Sequence, residues 1–449
     1  MFTDFAGAPE TKRRRSAELY QRGRMVFPAG ITRSTIEKDP DPIYVKSGKG
    51  AHVVDADGHR LLDLNNNFTT LLHGHAFEPV IDAVATLVRS GTCFANPTPH
   101  EIALAELLVA RIPAIDLVRF VNTGTEAVMF AIKAARAHTG RPAIARFAGA
   151  YHGAYDWAEA EQYAASGALR SSRPSAPSSS APTSPPAKSD VVLLHFNDVE
   201  GLETALSANA DRLAAVLIDP MPSRAGLIAP TPAFIRALMA TARRHGILII
   251  ADEVLNLRQS FAGASARYGL EPDLLTAGKI IGGGFPIGAI GGRADVMSVF
   301  GEARSKLVSQ GGTFSANPVS MRAGLVAMEA ATEACFADLE RKGDRLRDRL
   351  AAIASRSATG FSVTGAASLF RIHARAQPPI SYAEAEPNEA DAKRLGYLTR
   401  FFRSQGILLP LGAAACLSTA MTDEDLERVA ATFEAFVTKE NMTSGEGQQ

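Results

Sequence analysis

Tryptophan occurs once in the 449 residues, cysteine three times, and neither sign of charge prevails, with forty-seven acidic against forty-seven basic side chains. Each scarcity closes off a class of protein. Cys93, Cys335 and Cys416 stand too far apart for a disulfide framework or a zinc ligand set, so no metal site is expected and the compartment reads as reducing and cytoplasmic. The balanced charge offers no footprint for nucleic acid or an anionic membrane surface. No apolar window approaches the roughly twenty residues of a membrane-spanning helix, and the N-terminus lacks the apolar stretch of a secretory signal. The basic run 12–15 lies among Asp4, Glu10 and Glu18 and reads as a solvated helix face. What is present suits an enzyme acting on a small molecule: 46% hydrophobic and 21% charged residues, in a chain longer than one typical domain.

The middle of the chain alternates. "HEIALAELLVARI" has the spacing of a helix and precedes the apolar run "LVRFVN"; a second helix, "EAVMFAIKAARAHTG", follows and stops at Gly140. Further strands are expected at "AIARF", "VVLLHF", "AAVLID", "ILIIAD", "DLLTAG" and "IGAIGG", with the helix "TPAFIRALMATARRHG" among them, capped by Thr231 and carrying Pro232 at its first position. Apolar, β-branched runs separated by helices imply an α/β protein with a mainly parallel sheet covered on both faces, which binds ligands at the carboxyl ends of its strands. The stretch 166–190, rich in Ser, Pro and Ala, cannot bury enough apolar surface to order itself and reads as a mobile surface excursion. After about Met321 the chain becomes helical and then mixed, as in a smaller α+β domain; the last residues, "SGEGQQ", are expected to be disordered.

Three strand ends carry chemistry. "ILIIADEV" stops at Asp252, a carboxylate where a buried strand meets the ligand face. "DLLTAGK" stops at Lys279, which the following glycines leave open, and a lysine in a desolvated pocket becomes a nucleophile toward carbonyl groups. "FVNTGTEAVMF" runs through a turn into a helix, so the N–H groups of Gly124 and Thr125 and the Thr123 hydroxyl can face an anion such as phosphate. Taken singly, each has a plainer reading: a strand-end cap, a surface lysine, a helix N-cap. Nucleotide motifs fail on spacing, because Ile287 stands where a dinucleotide fingerprint needs glycine and Lys279 lacks the earlier glycine of a P-loop. Together, a phosphate seat, an aldehyde-reactive lysine and a carboxylate for a pyridinium nitrogen describe pyridoxal phosphate best.

"VNTGTEAVMFAIKAARAHTGR", "FAGAYHG", "IIADEV", "PDLLTAGKIIGGGFPIGAIGGRADVM" and "GGTFSANPVSMRAGL", in this order, resemble the class III, fold type I pyridoxal-phosphate aminotransferases, nearest the branch of glutamate-1-semialdehyde aminomutase and certain β-amino-acid transaminases. The resemblance covers about residues 27–437. It implies a large cofactor-binding domain over 76–320, a small domain over 321–449, and an N-terminal segment, 1–75, that contributes to the small domain and the site. It implies that Lys279 holds the cofactor as a Schiff base and later moves a proton, while Asp252 keeps the ring nitrogen protonated. Tyr151 would stack on one ring face and Val254 pack on the other, although both also suit plain core packing. His152 would support them. Thr123, Gly124 and Thr125 would hold the phosphate, with Thr313 reaching it from the second subunit of a homodimer.

For the substrate, the resemblance points to Arg33 as a two-pronged carboxylate grip and to Phe68 as a pocket wall; a surface arginine and an ordinary core phenylalanine are their rivals. Two departures stand out. Many relatives read Glu-Pro where this chain has Asp219 and Pro220. Aminomutases of the branch carry a glutamate near the C-terminal pocket wall, where "LLPLGAAACLSTAMTDED" offers small apolar residues. The expectation is therefore a transaminase moving an amino group between an amino acid or amine and a 2-oxo acid in two half-reactions. The 2,1-aminomutase is the alternative, and a racemase or a non-catalytic fold relative are lesser ones.

Overall fold

The computed structural model describes residues 13–38, 41–159, 190–301, 308–357, 359–412 and 414–445. Apart from Asp190, the Ser/Pro-rich stretch 166–190 lies outside the described residues, as do the last four residues of "SGEGQQ". The N-terminal strands β1 (Val45–Lys49), β2 (His52–Asp55) and β3 (Arg60–Asp63) form an antiparallel meander. Then come β4 (Leu117–Val121), β5 (Ala143–Phe147), β6 (Val191–Leu194), β7 (Leu213–Ile218), β8 (Leu248–Asp252), β9 (Leu274–Gly278) and β10 (Gly288–Gly292). Among the described residues these seven build one sheet in the order β4-β10-β9-β8-β7-β5-β6. β11 (Ser362–Thr364) and β12 (Leu369–His373) follow; β13 (Ile407–Leu408) pairs in parallel with β3, and β14 (Ala415–Cys416) pairs with β12.

Every residue of β5, β7, β8, β9 and β10 is buried, which is why these stretches read as mostly apolar runs and not as alternating ones, with Arg146 in β5 and Thr276 in β9 as buried polar exceptions. Each Leu or Ile so enclosed contributes about 1.5–3 kcal/mol. The pairings from β6 through β5, β7 and β8 to β9 are parallel. β10 alone runs antiparallel to both its neighbours, β9 and β4. The reason is chain length: only residues 279–287 join β9 to β10, and a parallel return needs a crossover of about a dozen residues or more.

The helices begin and end where the local chemistry directs. Thr231 caps Pro232–His245 by accepting from the Phe234 N–H at 3.2 Å, and Gly246 closes it in the left-handed region at φ 60°. Gly124–Thr139 starts two residues before the expected "EAVMF" because Thr123 caps it, and it stops at Gly140 as expected. The helical stretch after Met321 is two helices, Pro318–Ala330 and Glu333–Arg356. Ala331 leaves helical geometry and Thr332 caps the second by accepting from the Cys335 N–H.

Distant segments converge on one fully buried guanidinium. Arg258 donates to the Thr69 carbonyl at 2.7 Å, to Ser368 Oγ at 3.1 Å and to the Leu417 carbonyl, joining the N-terminal segment, the β11–β12–β14 sheet and the loop after β8. Backbone bonds from Cys416 to Leu64 and from Thr419 to Leu72 extend the seam.

His373 on β12 lies behind this seam, 2.8 Å from the Thr364 hydroxyl, and burial with the nearby Arg371 charge holds its pKa at about 3 against 6.5 for an unhindered imidazole. The unfolded chain takes up a proton here that the folded chain refuses. Stability from this group is therefore lost as pH falls from about 6.5 toward 3, by on the order of a few kcal/mol. Urea titrations from pH 7 to pH 4 are expected to give a shallower decline in stability for His373→Gln than for the wild type. An unchanged decline would place the acid sensitivity elsewhere.

Candidate active site

Asp252 closes β8 with 4% of its surface exposed. Its Oδ1 accepts from Thr276 Oγ1 at 3.0 Å and from the Val254 N–H at 3.1 Å, and its Oδ2 lies 2.7 Å from His152 Nδ1. A carboxylate oxygen can only accept there, so the imidazole proton sits on Nδ1. Nε2 of the same ring is buried and has no partner among the described residues. Burial lowers the pKa of His152 and the bond to Asp252 opposes that shift. The carboxylate is thus fixed by three donors from three segments: β9, the turn after β8 and the loop after β5.

Lys279 follows β9 with φ 48°, a left-handed backbone that β-carbon-bearing residues seldom adopt. The surrounding protein lowers the pKa of its amine by desolvation, Asp252 and Asp219 oppose the shift, and Arg258 and Arg224 reinforce it. Asp219, one residue past β7, accepts from the Met221 N–H at 2.9 Å and from the Asn256 side chain. Its carboxyl is pushed well up, first by burial and then by the charge of Asp252. The shorter side chain at this departure from the common Glu-Pro pattern is thereby used locally, bracing the turns after β7 and β8.

At the end of β4 the chain enters the helix Gly124–Thr139. Thr123 Oγ1 accepts from the Glu126 N–H at 3.1 Å, and Glu126 reaches back to the Asn122 N–H at 2.6 Å. The N–H groups of Gly124 and Thr125 have no acceptor among the described residues and carry the positive end of the helix dipole. Glycine is required at 124, where a Cβ would lie 2.8 Å from Val254 Cγ1, and at 288, where it would lie 2.1 Å from the Thr123 carbonyl oxygen. Val254 therefore packs directly on the turn that presents the free N–H groups. Thr125 Oγ1 accepts from the Ala154 N–H at 3.3 Å, tying in the loop of Tyr151 and His152. The Tyr151 ring is 43% exposed and the Arg224 guanidinium lies over it, 4.0 Å from the centroid.

The other expected residues gather less tightly. Arg33 donates to Asn67 Oδ1 at 3.3 Å and lies 5.4 Å from the Phe68 ring, so these two form a pair. Phe68 belongs to a left-handed turn, Asn66 to Thr69, with φ from 47° to 72°. Asp63 holds the turn by accepting from the N–H groups of Asn65 and Asn66, and Arg258 holds it through the Thr69 carbonyl. Thr313 is exposed beside Gly312, whose neighbour is Asn122 at the phosphate-facing turn. Sequence reasoning missed Thr276, Arg224 and Arg258. The lone hydroxyl inside the apolar run "DLLTAG" was a usable signal for the first; the two arginines lie in loops that read as surface.

An aldehyde, a basic ring nitrogen and a phosphate all find a counterpart here. An amine of lowered pKa, a braced carboxylate and a helix N-terminus with free N–H groups stand together at the carboxyl ends of β9, β8 and β4, and the glycine at 124 keeps the turn open. Pyridoxal phosphate fits this donor set.

The chain belongs to the class-III aminotransferases: that family's profile matches residues 34–408. It is thus a fold type I enzyme that uses pyridoxal phosphate. Among its relatives is a glutamate-1-semialdehyde 2,1-aminomutase of Thermomicrobium roseum, 37% identical over 92% of this chain and 95% of its own. Among solved structures it is similar to an omega-transaminase from Sphaerobacter thermophilus, 42% identical with a TM-score of 0.90 over 97% of this chain and 99% of the other. It is also similar to a beta-phenylalanine aminotransferase from Variovorax paradoxus, 30% identical with a TM-score of 0.86 over 97% and 95%. Among the described residues no helix is long and apolar enough to cross a membrane.

Borohydride reduction of the cofactor-loaded protein followed by peptide mapping is expected to place the label on Lys279. Because the folded environment lowers this amine's pKa, a larger fraction is neutral at a given pH. Labelling should therefore persist to lower pH than at Lys393, whose ammonium is stabilised by Glu389. Label confined to another lysine would overturn the assignment.

Proposed function

We propose that the chain is a transaminase that passes an amino group from an amino acid, a β-amino acid or an amine to a 2-oxo acid. One observation carries the choice over the mutase. The segment β13 to Ala420 that faces the N-terminal turn has no acidic side chain; of the three carboxylates that follow it, Glu424 is exposed and the other two are engaged elsewhere. Asp423 bonds Arg345 at 2.6 Å and Asp425 lies 3.8 Å from His52. A mutase must retain a diamino intermediate until its second nitrogen is transferred and gains from an anion near the distal amine; a transaminase must release its oxo acid and admit another substrate. The names of the relatives support both readings, with the 37% identical protein named a mutase and the 42% identical structure a transaminase.

Bound pyridoxal phosphate supplies an aldehyde that takes up the amino group and a ring that accepts electrons when the adjacent C–H bond breaks. In this reading the Lys279 amine would be the group that holds the cofactor aldehyde and the base that moves the proton of the donor carbon. Asp252 keeps a proton on the ring nitrogen, and His152 and Thr276 keep the carboxylate in place for it. Thr123, Gly124 and Thr125 would hold the phosphate, Tyr151 and Val254 would hold the ring, and Arg33 with Phe68 would receive the substrate carboxylate and its side chain.

Mixing the loaded enzyme with single donors is expected to convert the visible cofactor absorbance to that of pyridoxamine phosphate, and a 2-oxo acid should restore it, giving parallel-line ping-pong kinetics. Isomerisation of glutamate-1-semialdehyde without exchange into added oxo acid would favour the mutase.

The same reading makes the enzyme a homodimer with shared sites. Exposed apolar side chains at Ile81, Val88, Phe94, Ile102 and Phe314 supply surface for a second copy, and Thr313 beside Phe314 is free to reach a phosphate across the boundary. Sedimentation is expected to show a dimer whose cofactor affinity falls about tenfold or more in Thr313→Ala without dissociation, as expected for one lost charge-assisted hydrogen bond. A stable active monomer would contradict the shared site.

A further inference from the structure

The loop after β7 presents a cation that the reading above leaves unused. Its backbone is pinned from the β11–β12 sheet: Arg371 donates to the carbonyls of Ser223 at 2.7 Å and Arg224 at 3.1 Å, and the Thr364 hydroxyl donates to that of Gly226 at 2.6 Å. The Arg224 side chain leaves this clamped turn to lie over Tyr151, 4.0 Å from the ring centroid, and close enough to Lys279 to disfavour its protonation. It is half-buried and pairs with no carboxylate among the described residues. The two carboxyl groups at the same strand ends are already engaged, Asp219 by Met221 and Asn256, Asp252 by Thr276, Val254 and His152.

A half-buried guanidinium without a counter-ion loses hydration and gains nothing from a partner, so its place at a reactive amine calls for an anion brought by a ligand. The phosphate has its own seat at the Gly124 and Thr125 N–H groups, at the end of a different strand. Stacking on an aromatic face holds the guanidinium plane and leaves its edge N–H groups available, the geometry that takes a carboxylate through two parallel hydrogen bonds. Arg33, the arginine assigned to a substrate carboxylate above, is likewise stacked on an aromatic ring, that of Phe68, and bonds Asn67.

We propose that Arg224 is a specificity-determining residue that receives a substrate carboxylate above the Tyr151 ring, so that the pocket has two carboxylate-binding cations and favours donors and acceptors bearing one carboxylate close to the transferred nitrogen and another, or a polar group, at the far end. This rests on the transaminase reading.

The test uses the loaded enzyme and its Arg224→Met and Arg224→Lys variants, with Arg33→Ala in parallel. Half-reaction rates are followed by cofactor absorbance for donor pairs that differ only by a carboxylate, such as alanine against ethylamine and glutamate against 4-aminobutanoate. Arg224→Met is expected to weaken apparent binding of the carboxylate-richer member of at least one pair by about 10- to 100-fold, the range for a lost charge-assisted contact, while changing the poorer member of that pair less than about threefold. Arg224→Lys should recover part of the loss for the carboxylate-richer member, and any change in limiting rate should be common to both members of a pair. An equal loss for both members of every pair, or a fall in cofactor affinity, would mean that the guanidinium serves the cofactor or the fold, and would overturn the proposal. Titration with succinate, which has no amino group to transfer, reads the same contact without turnover and should be weaker in Arg224→Met; equal binding overturns it. If wild-type enzyme converts no donor, the transaminase reading fails by itself, and the succinate titration still decides the role of Arg224.

Discussion

The three donors on Asp252 set the geometry on which everything else at the carboxyl ends of the strands depends. Thr276 lies on β9 and is followed three residues later by Lys279; Val254 lies in the turn after β8 and packs on the phosphate-facing turn; His152 follows Tyr151 in the loop after β5. One carboxylate therefore registers the loop of Lys279, the helix N-terminus and the Tyr151 ring against each other. A buried carboxylate with fewer donors would leave the site or take up a proton, and the three segments would lose their common reference.

Arg258 does for the second half of the pocket what Asp252 does for the first. Its buried guanidinium is satisfied by a carbonyl from the N-terminal turn, a carbonyl beside β14 and a hydroxyl before β12. The left-handed turn at 66–69, costing roughly 1–2 kcal/mol per residue in an isolated peptide, persists because this guanidinium and the Asp63 carboxylate hold it from opposite ends. Phe68 is thus carried by strained backbone, which presents its side chain in a direction that relaxed helix or strand does not offer, and Arg33 lies against its ring. Arg371 clamps the Arg224 turn in the same manner, through the carbonyls of Ser223 and Arg224.

Much of this was legible before any coordinates. Asp252 and Lys279 stand at the ends of apolar runs whose length marks them as buried strands, and a charge there has few structural uses. Thr123 and Gly124 stand where a strand turns into a helix, a junction that announces its own free N–H groups. Local chemistry decides these features within a few residues, and Thr231 and Gly140 did their capping work where expected. The reversal of β10 was open to the same reasoning, since residues 279–287 are too few for a crossover, although the apolar pattern of "IGAIGG" carries no direction.

What the chain could not announce depends on partners far away in sequence. Arg258 and Arg224 look like any loop arginine until residues more than a hundred positions distant bury one and clamp the other's backbone; His373 is an ordinary imidazole until the sheet and Arg371 enclose it. The sequence by itself determined the strands, the helix caps and the placing of a lysine and an aspartate at the ends of buried strands, because each follows from burial and hydrogen bonding along a short stretch. Only the tertiary structure decided which charges are spent on holding loops and which remain to meet a ligand, because that depends on desolvation and on donors delivered from other segments, and neither quantity belongs to a residue until the chain has folded.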